Sequence, residues 1–321
     1  MRSIQTGLSF PLSSVKPLEK LEAYRAFCLE AVKKALGQGA RRTRSESPVT
    51  GARLEPAGEV GGLSYARCPD TGSLFLRDVA SRDAWAGLLS EVVRYRHSPA
   101  AFHTEIAGSR AENVYAPKLE WVRNALSLQD LKRPRILDVS TPPSDFAGLL
   151  EKSGAFQNVQ SVDEMALASG RASLPGPVDA AVLLESLDRV DDPKTLLEAV
   201  RGTLSKGGVL CLTALVSSGF DMAVLGLNNL YLYPPDRTNC FSLRGLEALV
   251  SQAGFKLIEV STPGVLDLEI VRAHLRHGTP VKLSAFEELL ISRDRETQAD
   301  FQTFLQQRGL SSFARIVGRK T

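Results

Sequence analysis

The sequence predicts an α/β fold: a doubly wound, mostly parallel sheet preceded by a small helix and β-hairpin module. Three observations carry this. From Arg135 onward, short apolar strands alternate with amphipathic helices, the rhythm of a parallel sheet covered on both faces. Ahead of it, "LSYARCPDTGSLFLRDV" sets two strand-like runs around Pro-Asp-Thr-Gly, which is turn chemistry. Earlier still, Pro17 to Leu36 repeats apolar residues at helical spacing. The 321 residues are enough for one large domain with additions or for two. They divide into an N-terminal helix and linker (1–62), a hairpin with a helical lead-in (63–130) and the α/β domain (131–321).

Taken in order, Leu18, Leu21, Phe27, Cys28, Ala31 and Val32 share the apolar stripe of the first helix, and Gly37 can end it. Gly37 to Gly62 shows no period, and its run "ARRTRSESP" reads as a solvated, mobile connector. Helical patterns follow the hairpin at Ser81 to Tyr95 and around Ala111 to Leu126. The alternation then runs "RILDV", a helix over Asp145 to Lys152, "NVQSVD", "VDAAVLLE", a helix over Pro193 to Leu204, and "GVLCLTAL". "LRGLEALVSQAG" is a further helix and "FKLIEVST" a further strand; a helix near Gln298 to Gln307 precedes the last strand, Ser312 to Arg319.

Composition narrows the function classes. With 43% hydrophobic and 23% charged residues this is an ordinary globular chain, and no run of about 18 apolar residues is present to span a bilayer. "MRSIQTGLSFPLSSVK" lacks the continuous apolar centre of a secretory signal, so a cytoplasmic location is expected. A net charge of +3 gives no reason to expect a nucleic-acid partner. Cys28, Cys68, Cys211 and Cys240 are far apart and form no CxxC pair, which points to reduced thiols. His97 and His103 precede the α/β domain, and no Ser-His-Asp or metal-ligand spacing exists, so neither a catalytic residue nor a metal is assigned.

In open parallel sheets, ligands lie beyond the carboxyl ends of the strands. That rule selects Asp138 and Ser140 after the first strand, Asp163 and Glu164 after the second, and Glu185, with Asp188 and Arg189, after the third. "RILDV", "VQSVDE" and "VDAAVLLESLDRVDDPKTLLEAVRGTLSKGGVLCLTAL" resemble, in that order, the first motif, the second strand and the following block of class I S-adenosylmethionine-dependent methyltransferases. "LNNLYLYPPDRTNCFSLRGLEALVSQAGFKLIEVSTPGVLDLEIV" and "DFQTFLQQRGLSSFARIVGRK" resemble a bacterial subgroup associated with surface-glycan or sugar modification. "YARCPDTGSLFL" resembles the zinc-ribbon-like module ahead of the domain in that subgroup; it is degenerate here, since Thr71 stands where the second cysteine would be. The resemblance covers Tyr65 to Lys320. It implies the Rossmann-like methyltransferase fold, S-adenosyl-L-methionine as cofactor, a small-molecule or glycan-type substrate, and Asp163 as the acid that holds the cofactor ribose.

The chain departs from the pattern at the first turn, where the family has Asp-x-Gly-x-Gly-x-Gly. Ser140, Pro142 and Ser144 occupy the glycine positions, and Pro142 and Pro143 have no N–H to give a ligand. Contacts there would have to come from the Ser140, Thr141 and Ser144 hydroxyls. The same residues also make a purely structural helix start, with Thr141 as N-cap and the prolines in the first turn. Only 15 residues separate Asp163 from Asp179, too few for the usual helix and a full third strand, so an abbreviated adenine side is expected. On the substrate side, the loop "YLYPPDRTNCF" offers Tyr231, Tyr233, Asp236 and Arg237. Two functions stay open: a methyltransferase acting on a small or sugar-type acceptor, and a methyltransferase-fold protein without catalysis that serves as a binding or assembly partner. Recognition of another nucleotide in the same cleft is a weaker third.

Overall fold

The structure, a computed structural model, describes residues 12–15, 17–172, 174, 176–277 and 280–321. Helix α1 (Leu18–Gly37) leads into strands β1 (Arg41–Thr43), β2 (Glu55–Val60), β3 (Leu63–Arg67), β4 (Leu74–Leu76) and β5 (Asp78–Ala80). Helices α2 (Arg82–Arg96) and α3 (Ala107–Arg110) follow, the latter running through a π turn at Ala111–Tyr115 into α4 (Ala116–Ser127). The alternating part comprises β6 (Arg135–Val139), α5 (Asp145–Lys152), β7 (Asn158–Val162), α6 (Glu164–Ala168), β8 (Val178–Leu184), α7 (Pro193–Thr203) and β9 (Leu204–Leu215). It closes with α8 (Phe220–Leu225), β10 (Asn239–Cys240), α9 (Leu243–Gln252), β11 (Phe255–Ser261), α10 (Asp267–His277), α11 (Ala285–Ile291), α12 (Arg295–Arg308) and β12 (Phe313–Lys320).

Six strands form the central sheet in the order β11-β12-β9-β8-β6-β7. β7, β6, β8 and β9 are mutually parallel, while β12 runs antiparallel to both β9 and β11. Strand order reverses between β6 and β8, which places a ligand-binding crevice at their carboxyl ends. Alternation along the strands feeds two cores. Ile136, Val182, Cys211 and Val317 pack with Trp121 and Val122 of α4 and Phe146 and Leu150 of α5. Leu137, Leu183, Leu212 and Ile316 belong to a larger cluster that takes in Leu21 of α1, Tyr65 of the hairpin and Leu89 of α2. No helix among the described residues is long and apolar enough to cross a membrane. The four cysteines are free and buried.

The hairpin forms as expected, β3 pairing antiparallel with β4, and β10 adds to its outer edge so that the order is β10-β4-β3-β2. Thr71, where a zinc ribbon would have cysteine, donates its hydroxyl to Ser73 at 2.9 Å. Three expectations are corrected. The connector is not solvated throughout: β1 pairs with β5, and Arg44 is buried, its guanidinium donating to Asn239 Oδ1 at 2.8 Å and to the Asp191 carbonyl. A buried guanidinium is tolerated where carbonyl and amide oxygens take its donors. Helix α5 starts at Asp145 with Ser144 as N-cap, its Oγ accepting from Ala147 N–H at 3.2 Å, so Thr141 is not the cap. Pro143 excludes Pro142, and Pro142 excludes Thr141, from helical backbone, and the first residue free to begin a helix lies beyond the pair. The third strand is full, seven residues in β8; the shortening falls on α6, which has five.

Candidate functional site

Asp138, next to last in β6, lies opposite Ser161 of β7 and Val182 of β8, and is 1% exposed. Ser140 Oγ donates to its Oδ2 at 2.6 Å and Ser161 Oγ at 3.4 Å. Burial raises the Asp138 carboxyl above its ordinary value, and the surrounding serine hydroxyls and Arg189 pull it back only in part. Thr141, also buried, donates to Glu164 Oε1 at 2.7 Å. Glu164 is inaccessible to solvent; burial raises its pKa against the pull of Arg189, whose guanidinium lies 3.8 Å away. Asp163 caps α6, accepting from Ala166 N–H at 2.8 Å. A cavity of about 110 Å³ opens over the turn, lined among others by Asp138, Ser140, Thr141, Ser144, Glu185 and Arg189. Asp163 lies outside it.

Glu185 follows β8 with φ of 60°, a left-handed geometry few non-glycine residues adopt. Its backbone N–H extends the ladder to the Thr213 carbonyl at 2.9 Å. Its carboxylate receives Lys118 at 3.2 Å and Arg237 at 2.6 Å. Arg237 also reaches Asp188, which is fully buried, at 3.4 Å. Burial drives the Asp188 carboxyl up to about 8, with Glu185 adding to the rise and Arg237 opposing it. For Arg237 burial acts downward, but Glu185, Asp188 and Asp236 outweigh it and raise its pKa.

The loop over residues 231–241, ahead of α9, is held from several sides. Arg96 pairs with Asp236 at 3.1 Å and donates to Tyr24 Oη at 2.7 Å; Tyr233 Oη donates to Asp236 at 3.3 Å. Burial alone would raise the Asp236 carboxyl, yet Arg96, Arg237 and Arg189 together hold it below its ordinary value. Tyr65 of the hairpin donates to the Arg237 carbonyl at 2.7 Å. Beneath the loop is a second cavity of about 230 Å³, with Leu215, Phe313 and Arg315 along the sheet end, Tyr231 and Tyr233 from the loop, and His103 opposite. Burial lowers His103 to about 3, so its ring is neutral. The two cavities share Arg96, Arg110, Lys118, Glu185, Asp236 and Arg237.

The structure therefore brings Asp138, Ser140, Thr141, Ser144 and Glu185 to the smaller cavity and Tyr231, Tyr233, Asp236 and Arg237 to the larger, leaving Asp163 apart. Sequence reasoning missed Arg96, Lys118 and Arg315. The first two carry no signal beyond ordinary helical charge; Arg315 does, as a lone cation inside the apolar strand "FARIVG".

Residues 110–260 match the sequence profile of a family described as "Methyltransferase domain". No curated protein matches significantly. Among solved structures, the chain is similar to 1,6-didemethyltoxoflavin-N1-methyltransferase of Burkholderia thailandensis, crystallised with 1,6-didemethyltoxoflavin and S-adenosylhomocysteine; identity is 14%, coverage 83% of this chain and 99% of that one, and TM-score 0.42. A SAM-dependent methyltransferase of Thermotoga maritima gives 18% identity over 68% and 97% with TM-score 0.38. An O-methyltransferase family protein of Burkholderia thailandensis gives 11% over 73% and 63% with TM-score 0.42.

Proposed function

We propose that the protein, whose residues 110–260 match a methyltransferase-domain profile, is a class I S-adenosylmethionine-dependent methyltransferase that methylates a small-molecule or sugar-type acceptor held in the larger cavity. One observation carries this reading: Glu185, in its left-handed geometry, stands on the wall common to both cavities, so ligands over the turn and under the 231–241 loop would meet beside it. S-Adenosyl-L-methionine, when bound, supplies an electrophilic methyl group. The residues over β6 and β8 fit it in charge: Asp138 and Glu185 can receive its cationic groups. Its carboxylate cannot be met by N–H groups of Pro142 or Pro143, but Arg189 lines the same cavity and supplies donors of the right kind. Asp163, the acid the family resemblance assigns to the ribose, caps α6 instead and lies outside this cavity, so no ribose contact is assigned to it.

The chain's own contribution to rate is positioning. Transfer to an aligned acceptor requires closeness and orientation more than a base. Asp236 and Arg237, committed to ion pairs, fix the loop, and Tyr231 and Tyr233 form its inner wall. A second reading, a methyltransferase-fold binding partner without catalysis, is favoured by one specific observation: the Ser140 and Thr141 hydroxyls point inward to Asp138 and Glu164 instead of toward a ligand. Calorimetric titration with S-adenosylhomocysteine separates the readings. Saturable heat supports the enzyme, and none at millimolar ligand supports the partner.

A further inference from the structure

We infer that Arg315 seats an oxyanion, so that the ligand of the larger cavity is a compact molecule carrying a carboxylate or a phosphate. This deepens the reading above, resting on it only for the role of that ligand as acceptor. Arg315 is the third residue of β12, paired with Thr213 of β9 and Ser261 of β11 at the ligand end of the sheet, and only 4% of it is exposed. Its guanidinium lies 5.1 Å from the ring centre of Trp121. Among the described residues its Nε has no hydrogen-bond partner and the side chain makes no ion pair. Glu259, the acid that attracts it, already accepts from Trp121 Nε1 at 3.2 Å and Ser261 Oγ at 2.9 Å. A guanidinium so deeply buried, with its nearest acid beyond ion-pair distance and its Nε unpartnered, is costly unless something else meets it.

The cavity it lines is short of negative charge. Five cationic side chains face three carboxylates, Glu185, Asp236 and Asp267, while His103 is neutral. Asp236 is matched by Arg96, and Glu185 by Lys118 and Arg237. Asp267 is satisfied by neutral donors: Ser311 Oγ at 2.6 Å, Ser312 N–H at 2.7 Å and Gln302 Nε2 at 2.7 Å. Arg110 gives its donors to the Val15 carbonyl at 3.3 Å and Tyr115 Oη at 3.5 Å, so among the described residues neither it nor Arg315 has a carboxylate within ion-pair distance. Val114, Pro117 and Phe313 supply apolar wall, and about 230 Å³ suits a single sugar ring better than an extended ligand.

The test uses the full chain without cofactor, so it is independent of whether methyl transfer occurs. Thermal unfolding and calorimetry are run with sodium glucuronate, glucose 1-phosphate and neutral glucose, with sodium chloride matching ionic strength. Wild type is expected to be stabilised saturably by one or both anions and not by glucose, and which anion wins tells carboxylate from phosphate. Arg315→Met is expected to lose at least tenfold in that affinity while its ligand-free melting temperature equals or exceeds that of wild type, because an unpaired buried charge is gone. Equal stabilisation by sodium chloride, unchanged anion affinity in Arg315→Met, or a fall in its ligand-free melting temperature would each overturn the assignment; the last would make Arg315 a structural cation.

Discussion

Replacing Arg237 by methionine removes the cation that ties the 231–241 loop to the end of β8. The side chain is 11% exposed, faces Glu185 at 2.6 Å and the fully buried Asp188 at 3.4 Å, and also donates to the Asp236 carbonyl at 2.7 Å. Methionine keeps most of the volume and leaves those acids short of a partner, a change that costs about 3–5 kcal/mol for a buried pair. Asp188 decides where in that range the loss falls. With Arg237 present its carboxyl is raised to about 8, so it is protonated at pH 6 and needs no cation, and the loss sits near the lower bound; at pH 9 it is ionised in the wild type, so the variant must leave that charge unpaired or take up a proton, and the loss moves toward the upper bound. An unfolding entropy of about 2.1 cal/mol/K per residue over 321 residues converts these to melting-temperature drops of roughly 4–5 °C at pH 6 and 7 °C at pH 9. Scanning calorimetry at the two pH values reads them directly, and adding Asp188→Asn should recover the pH 9 excess. Equal drops at both pH values would refute the coupling, and a loss under about 1 kcal/mol would show that Arg237 behaves as an exposed surface charge.

The wild-type chain should itself lose stability as pH rises from about 4, where an ordinary carboxylate ionises in the unfolded state, to about 8, where Asp188 ionises in the folded one; urea unfolding across that window measures the slope, and Asp188→Asn should flatten it. Ser144→Ala should cost about 1 kcal/mol of stability and Ser144→Gly a few tenths, because Ser144 caps α5. Thr141→Val should cost about 1–3 kcal/mol by stripping a hydroxyl donor from buried Glu164, with Thr141→Ser close to neutral; chemical denaturation distinguishes these from a Thr141 cap, for which serine would do equally well but Ser144 would be silent. Gly219→Ala should destabilise by about 1–3 kcal/mol or more, since its added carbon would lie 2.3 Å from Ser312 Cα, and a neutral result by melting temperature would show that the α8–β12 contact is loose.

Strands buried on both faces announce themselves as apolar runs, which is why "RILDV", "VDAAVLLE" and "GVLCLTAL" read cleanly as β6, β8 and β9. The start of α5 did not, because two hydroxyl residues flank the Pro-Pro pair and only backbone geometry decides between them. Arg44 looked like part of a solvated charge run because its partners, Asn239 and the Asp191 carbonyl, are far away in sequence. At the site, the strand-end rule found Asp138 and Glu185 but treated Asp163 alike, although its carboxylate is engaged by α6. Arg96 of α2 and Lys118 of α4 shape both cavities and Arg315 of β12 the larger one, and no local pattern records the convergence of these elements.

A crystal structure of the full chain grown with S-adenosylhomocysteine tests the central claim most directly. The account predicts the ligand over the carboxyl ends of β6 and β8, its amino group toward Asp138 or Glu185 and its carboxylate on Arg189. A cleft left empty at millimolar ligand, with Ser140 and Thr141 still bonded to Asp138 and Glu164, would contradict it and leave the fold without its cofactor.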